Sequence, residues 1–153
     1  MTTWPQASVN TDLTENNCFG CGQNNPIGLK LSFRWDGKTA RTEFTATELY
    51  QGWPGLLHGG ITACLLDEAT AYAARHEGVN CVTARMQVEF KQPIPVKESL
   101  LITSSVTSKT RKLFRSHATI SLADGTLVAE GTATQFVVGL VDREDEPKSN
   151  VQK

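Results

Sequence analysis

The sequence predicts an α+β domain in which a curled, mainly antiparallel β-sheet wraps around one long central helix. Three observations predict it. Two short alternating segments precede a single stretch rich in alanine and leucine, and four more alternating segments follow it. The helical stretch itself is apolar on nearly every side of its wheel. A helix of that kind needs protein cover on most sides, and a sheet curled around it supplies the cover. A chain of 153 residues is the size of one domain, large enough to bury a core without staples.

The elements follow in order. From Leu29 the pattern alternates, with Leu29, Leu31, Phe33 and Trp35 on one face and Lys30, Ser32 and Arg34 on the other, as in a half-buried strand. Asp36-Gly37 is a turn signal, and Thr39 to Phe44 alternates again to complete a hairpin. Residues 47–57 hold two glycines and a proline and read as a loop. His58 to about Gly78 lacks proline and stops at a glycine suited to a helix C-terminus. Val82 to Phe90 then alternates strictly, setting Val82, Ala84, Met86, Val88 and Phe90 against Thr83, Arg85, Gln87 and Glu89. Leu100 to Thr107, Leu113 to Leu122 and Thr126 to Val138 close a meander, the last pair joined at Asp124-Gly125. The expected organisation is a flexible N-terminal arm at 1–17, the folded domain at 18–140, and a polar, fraying tail at 141–153.

Bulk properties narrow the function. Hydrophobic residues at 39% and charged residues at 20% place the chain among soluble globular proteins. A net charge of −1 argues against nucleic-acid binding through a broad basic field. No apolar run approaches the ~20 residues that span a bilayer, and Met1 to Asn17 has no signal-peptide pattern. A cytoplasmic protein with neither nucleic-acid nor membrane partner is therefore expected. Cys64 and Cys81 sit in apolar patterns and read as small buried hydrophobes. Cys18-x-x-Cys21 is at most half of a zinc site, since no second pair follows at suitable spacing; a packing role, no metal and no cofactor are expected. Gly20-x-Gly22 lacks the preceding strand and third glycine of a dinucleotide fingerprint, and no G-x-S-x-G elbow occurs.

One constellation points to chemistry. The helix opens at His58-Gly59-Gly60, and glycines in a first turn either ease a tight entry or let a ligand approach free N–H groups at the positive dipole end. Asp67 and Glu68 are the acidic residues of the helix body before Glu77. A buried carboxylate is costly without a partner, so at least one must face solvent, a partner or a site. Asp67 shares a stripe with the small residues Ala63, Cys64, Thr70, Ala71 and Ala74, whereas Glu68 lies with Ile61, Leu65 and Tyr72. Gly59 and Asp67 are eight residues apart, roughly 12 Å along one helix. Both cannot touch one reacting carbonyl that must lie ~3 Å from each. If both act, they come from different subunits.

The stretch YQGWPGLLHGGITACLLDEATAYAA, followed by VTARMQVEFKQPIPV and DGTLVAEGTATQFVV, resembles the PaaI-like thioesterases of the hotdog superfamily. The preceding CFGCGQNNPIGLKLSF is similar to the N-terminal segment of many members, so the likeness runs from about residue 18 to 138. The resemblance implies a hotdog fold, a homodimer or a homotetramer built as a dimer of dimers, and hydrolysis of an acyl-CoA thioester without a metal. It implies that Gly59 offers its N–H to the thioester oxygen, with Gly60 beside it in the substrate site. Asp67 of the partner subunit would act as general base or nucleophile, and the Thr83 hydroxyl would position the water or the carboxylate. His58 belongs to the catalytic motif, with loop orientation a better fit to its place than base catalysis. Where many members carry an amide six positions before this histidine, the chain has Gly52, and Gln51 is the adjacent substitute. Glu68 is a further substrate-site candidate. Lys109, Arg111, Lys112 and Arg115 cluster at a hairpin, where Arg111 and Lys112 are candidates for the coenzyme A phosphates and a solvated turn is the alternative. Rival readings are a non-catalytic acyl-CoA sensor and a hotdog dehydratase or hydratase.

Overall fold

A computed structural model describes residues 9–14 and 16–142; the remainder of the expected arm and tail lies outside the described residues. The elements are β1 (Arg34–Trp35), β2 (Ala40–Thr45), α1 (Gly59–His76), β3 (Val79–Phe90), β4 (Ser99–Lys109), β5 (Leu113–Leu122) and β6 (Leu127–Leu140). The strands form one sheet in the order β1-β2-β4-β5-β6-β3, with every neighbouring pair antiparallel. This is the single helix on a curled antiparallel sheet that the sequence predicts. No helix among the described residues is long and apolar enough to cross a membrane.

The core lies between α1 and the sheet. Leu65, Leu66 and Ala69 of the helix are fully buried against Leu100, Ile102, Ile120 and Val128. Spacings of three and four residues bring Thr62, Leu65, Leu66, Ala69 and Ala73 onto the face that meets the strands. Small residues there let the helix sit close; Ser104 reaches from β4 to donate to the Ala69 carbonyl.

Two elements differ from the sequence expectation. Leu29, Leu31 and Phe33 are buried and Lys30 and Ser32 exposed, as alternation predicts, yet only Arg34–Trp35 joins the sheet ladder. The Leu29 and Leu31 N–H groups bond instead to the Phe19 and Gly20 carbonyls at 2.8 and 2.9 Å. The segment from Asn16 to Phe33 thus folds back along one flank of α1, where Phe33 stacks on Tyr72 with ring centroids 4.6 Å apart. Periodicity reports that an extended chain has two faces, not which backbone it pairs with.

The other difference is in β3. Thr83 pairs with Gln135 and Arg85 with Thr134, so Ala84 is an extra residue that breaks the strict alternation. A bulge of this kind re-aims neighbouring side chains. Thr83 consequently faces the helix, as do Met86 and Val88 beyond the bulge, although the sequence pattern places it on their opposite face.

The two sheet edges are unequal. β1 has two residues, whereas β3 has twelve and, among the described residues, pairs with β6 alone.

Candidate active site

The chain enters α1 through a tightly held turn. His58 is the N-cap, in extended backbone, with its N–H bonded to the Tyr50 carbonyl at 2.9 Å. Its Nδ1 accepts the Gly60 N–H at 2.8 Å, and its carbonyl accepts the Thr62 N–H at 3.0 Å. The imidazole therefore does the work of a capping Ser or Asp, satisfying one of the donors that every helix start leaves over. A side chain at Gly60 would stand 3.0 Å from that Nδ1, which accounts for the glycine. The Gly59 N–H has no partner among the described residues and lies at an exposed position. Two glycines and an N-capping histidine thus leave the Gly59 N–H free at the positive end of the helix.

A cavity of about 880 Å³ opens at this end, lined by Gln51, Trp53, Leu57, His58, Gly59, Thr62 and Phe90 among others. Trp53 is 81% and Phe90 58% exposed, so large apolar surface stands at the mouth. Gln51 also ties its own loop, its Oε1 accepting the Gly55 N–H at 2.9 Å. Gly52 packs on His58, where a Cβ would meet the His58 Cα at 3.3 Å. Any amide side chain contributed by this loop therefore comes from Gln51.

Asp67 does not line that cavity. It lies two turns further along α1, half-buried, and its Oδ1 accepts a hydrogen bond from the Thr83 hydroxyl at 2.7 Å. The distance is short, as expected for a donor to a carboxylate. The bulge at Ala84 makes the pair possible, and it places the carboxylate beside the last strand of the sheet among the described residues.

Glu68 turns elsewhere. Its carboxylate sits under the N-terminal segment, with Oε1 and Oε2 at 3.8 and 3.9 Å from the Cys18 Sγ. Burial, with a smaller contribution from the Asp67 charge, raises its pKa above the ordinary carboxylate range. Burial foremost, and then Glu68, pushes the Cys21 thiol up to about 12.

The chain thus brings His58, Gly59, Gly60 and Gln51 together at one end of α1 and Asp67 with Thr83 further along; Glu68 joins neither group. Arg111 and Lys112 are exposed in the β4–β5 turn, near the other end of the helix, where Lys109 pairs with Glu77 at 2.7 Å. An eighteen-residue helix is about 27 Å long, so within one chain these cations are remote from Gly59. Sequence reasoning did not find the Tyr50 carbonyl or the bulge. Neither carries a compositional signal, because both depend on where backbones meet.

The sequence profile of the thioesterase superfamily matches residues 54–129. The chain is 38% identical over 84 residues to the acyl-coenzyme A thioesterase THEM4 of Mus musculus, covering 54% of this chain and 36% of that protein. It therefore spans little more than a third of the length of that relative. Among solved structures, the PaaI protein of E. coli matches with a TM-score of 0.69 at 22% identity, over 73% of this chain and 83% of that one. A Streptococcus mutans protein bound to acetyl CoA matches with a TM-score of 0.69 at 19% identity, over 73% and 91%. These structural likenesses concern the fold, and the fold is the one described above. With the profile match, the sequence relatives and the helix-in-sheet architecture in agreement, the chain carries the thioesterase-superfamily profile over residues 54–129 and has the hotdog fold seen in the PaaI protein.

Proposed function

We propose that this protein hydrolyses acyl-CoA thioesters at a site shared between two subunits. One observation carries the reading: a free N–H at Gly59 and a hydroxyl-held carboxylate at Asp67 stand on one helix, too far apart to serve a single carbonyl. Eight residues separate them, roughly 12 Å along the axis. The relatives named acyl-coenzyme A thioesterases, and the neighbour bound to acetyl CoA, support the substrate class.

The edge strand β3 suggests how the halves meet. A twelve-residue edge without a strand partner among the described residues invites a second strand, and two copies would pair antiparallel about a two-fold axis. Phe90 lies beside Gly59: its ring atoms are 3.6 and 3.7 Å from where a Gly59 Cβ would stand. Pairing centred between Met86 and Gln87 sets Thr83 of one subunit opposite Phe90 of the other. The Asp67–Thr83 pair then approaches the partner's helix entry.

In that arrangement the Gly59 N–H and the helix dipole stabilise the oxyanion that forms as the thioester carbonyl is attacked. In the other subunit, Thr83 holds Oδ1 of the same chain's Asp67, leaving Oδ2 to act. Asp67 either takes a proton from the attacking water or attacks the carbonyl itself, and water then cleaves the resulting anhydride. The carbon–sulfur bond breaks, and the departing coenzyme A thiolate needs no strong acid to leave. Arg111 and Lys112 are proposed to meet the coenzyme A phosphates from the β4–β5 turn, and the apolar mouth at Trp53 and Phe90 to meet the acyl chain.

Complementation tests the shared site. Gly59 is the first helical residue, where proline is tolerated, and His58 before it is already extended at ψ 133°. Gly59→Pro therefore removes the N–H with little strain. Each of Gly59→Pro and Asp67→Ala should lose thiol release from a panel of acyl-CoAs. Mixed by refolding, they should recover on the order of a quarter of the wild-type rate, since half the dimers then hold one intact site of two. No recovery in verified mixed dimers would place both residues in one chain's site and defeat the proposal; no thiol release by wild type would defeat the activity.

A further inference from the structure

We propose that Cys18, Cys21 and Glu68 form a site for a divalent transition-metal ion, best suited to zinc, that pins the N-terminal segment onto α1. The proposal is independent of the thioesterase reading. The two Sγ atoms and a Glu68 carboxylate oxygen all lie within 4.8 Å of one another. Cys18 Sγ is 3.8 and 3.9 Å from the two oxygens. Tetrahedral zinc, with bonds of about 2.3 Å to sulfur and 2.0–2.2 Å to oxygen, spaces its donors about 3.5–3.8 Å apart. The Cys18–Glu68 edge is close to that spacing, and a shift of under about 1 Å brings in Cys21.

The backbone around the cluster is built close. The Gly22 N–H bonds to the Cys18 carbonyl at 2.9 Å, closing a C-x-x-C-G turn that presents both thiols on one side. A side chain at Gly20 would stand 2.5 Å from Glu68 Oε2, and one at Gly22 2.4 Å from the Cys18 backbone nitrogen. The segment therefore approaches the carboxylate as nearly as a chain without side chains allows.

The charge argument points the same way. Glu68 is covered by this segment, and the ion pairs among the described residues engage other carboxylates: Asp36, Glu77, Glu89 and Glu130. The hydrogen bonds to its side chain come from the Cys18 and Cys21 thiols, which are weak donors. Glu68 is half-buried, and a carboxylate drawn partly out of water is costly without a compensating charge. A dication supplies that charge and releases the thiol protons to solvent as it binds. Two sulfurs and one carboxylate favour zinc over magnesium or calcium, and a water completes four-coordination. C-x-x-C alone reads as half a site; the third ligand comes from fifty residues away.

Elemental analysis of the full chain, expressed with zinc in the medium and purified without chelator, should find one zinc per chain. Cobalt exchanged into the site should give thiolate-to-cobalt absorption. Cys18→Ser and Glu68→Gln should each weaken zinc binding by more than the ~10–100-fold that losing an outer-shell partner costs, while Cys81→Ser, a thiol outside the cluster, keeps it. Chelator-stripped protein should regain its melting temperature on adding zinc and not magnesium. Glu68→Gln preserves shape, so it carries the test if a cysteine variant fails to fold. Wild type free of zinc after incubation with the ion, zinc content equal in all three variants, or a Cys18–Cys21 disulfide in the reduced-purified chain would each overturn the proposal.

Discussion

Asp67 and Glu68 are consecutive carboxylates on one helix, and the fold gives them opposite surroundings. Successive helix positions diverge by about 100°, so the two side chains leave α1 on different flanks. Asp67 meets a hydroxyl at 2.7 Å on β3, the last strand of the sheet among the described residues. Glu68 meets the Cys18 thiol and the Gly20 backbone, under a segment of its own chain. Among the described residues one flank borders the last strand of the sheet, and the other is covered by the chain's own N-terminal segment. The same functional group thus meets a hydroxyl in one place and thiols in the other, and the difference comes from the neighbours rather than from the residue.

The contrast predicts different consequences for the two flanks. Asp67→Asn should have the largest effect, lowering kcat for thiol release about 10²–10⁴-fold while leaving the melting temperature near that of wild type. Thr83→Val comes next. A hydrogen bond to a charged group contributes about 1.5–3 kcal/mol, so kcat should fall roughly ten- to hundredfold, with Thr83→Ser restoring most of it. On the covered flank the readout changes from rate to stability. Gly20→Ala forces a Cβ against Glu68 and should cost about 1–3 kcal/mol in denaturant unfolding, with kcat unchanged below the melting temperature. His58→Ala removes the cap on Gly60 and should cost about 0.5–2 kcal/mol, with a further loss in kcat if the Gly59 N–H loses its aim. The smallest effect belongs to Arg111→Ala with Lys112→Ala. The pair should raise KM a few-fold at low salt, with kcat unchanged and the difference fading as ionic strength rises. A Gly20→Ala effect on rate alone, or an Asp67→Asn effect on stability alone, would erase the distinction between the flanks.

Much of this was legible before any coordinates. The helix at His58 to Gly78 was readable because an all-round apolar, proline-free stretch has few other solutions, and it is observed at Gly59–His76. The hairpin turns at Asp36-Gly37 and Asp124-Gly125 were readable because short-range turn chemistry is local. The first strand was only half readable: Leu29 to Phe33 alternate as expected, but their backbone bonds go to Phe19 and Gly20. Strict alternation sets Thr83 opposite Met86 and Val88, and one extra residue, Ala84, brings all three to the helix side. Cys18 and Cys21 read as an incomplete pair, since a spacing rule searches nearby sequence and Glu68 is fifty residues distant.

The sequence by itself determined the fold class, the one long helix, and the glycine-rich entry followed eight residues later by an acid. Those features rest on periodicity, turn preference and helical rise, which act over a few residues. Only the tertiary structure decided that Thr83 faces Asp67, that Glu68 turns to Cys18 and Cys21, and that β3 ends the sheet among the described residues. These depend on bulges, strand order and the return path of the N-terminal segment. Each is set by contacts between distant parts of the chain, which local pattern does not encode.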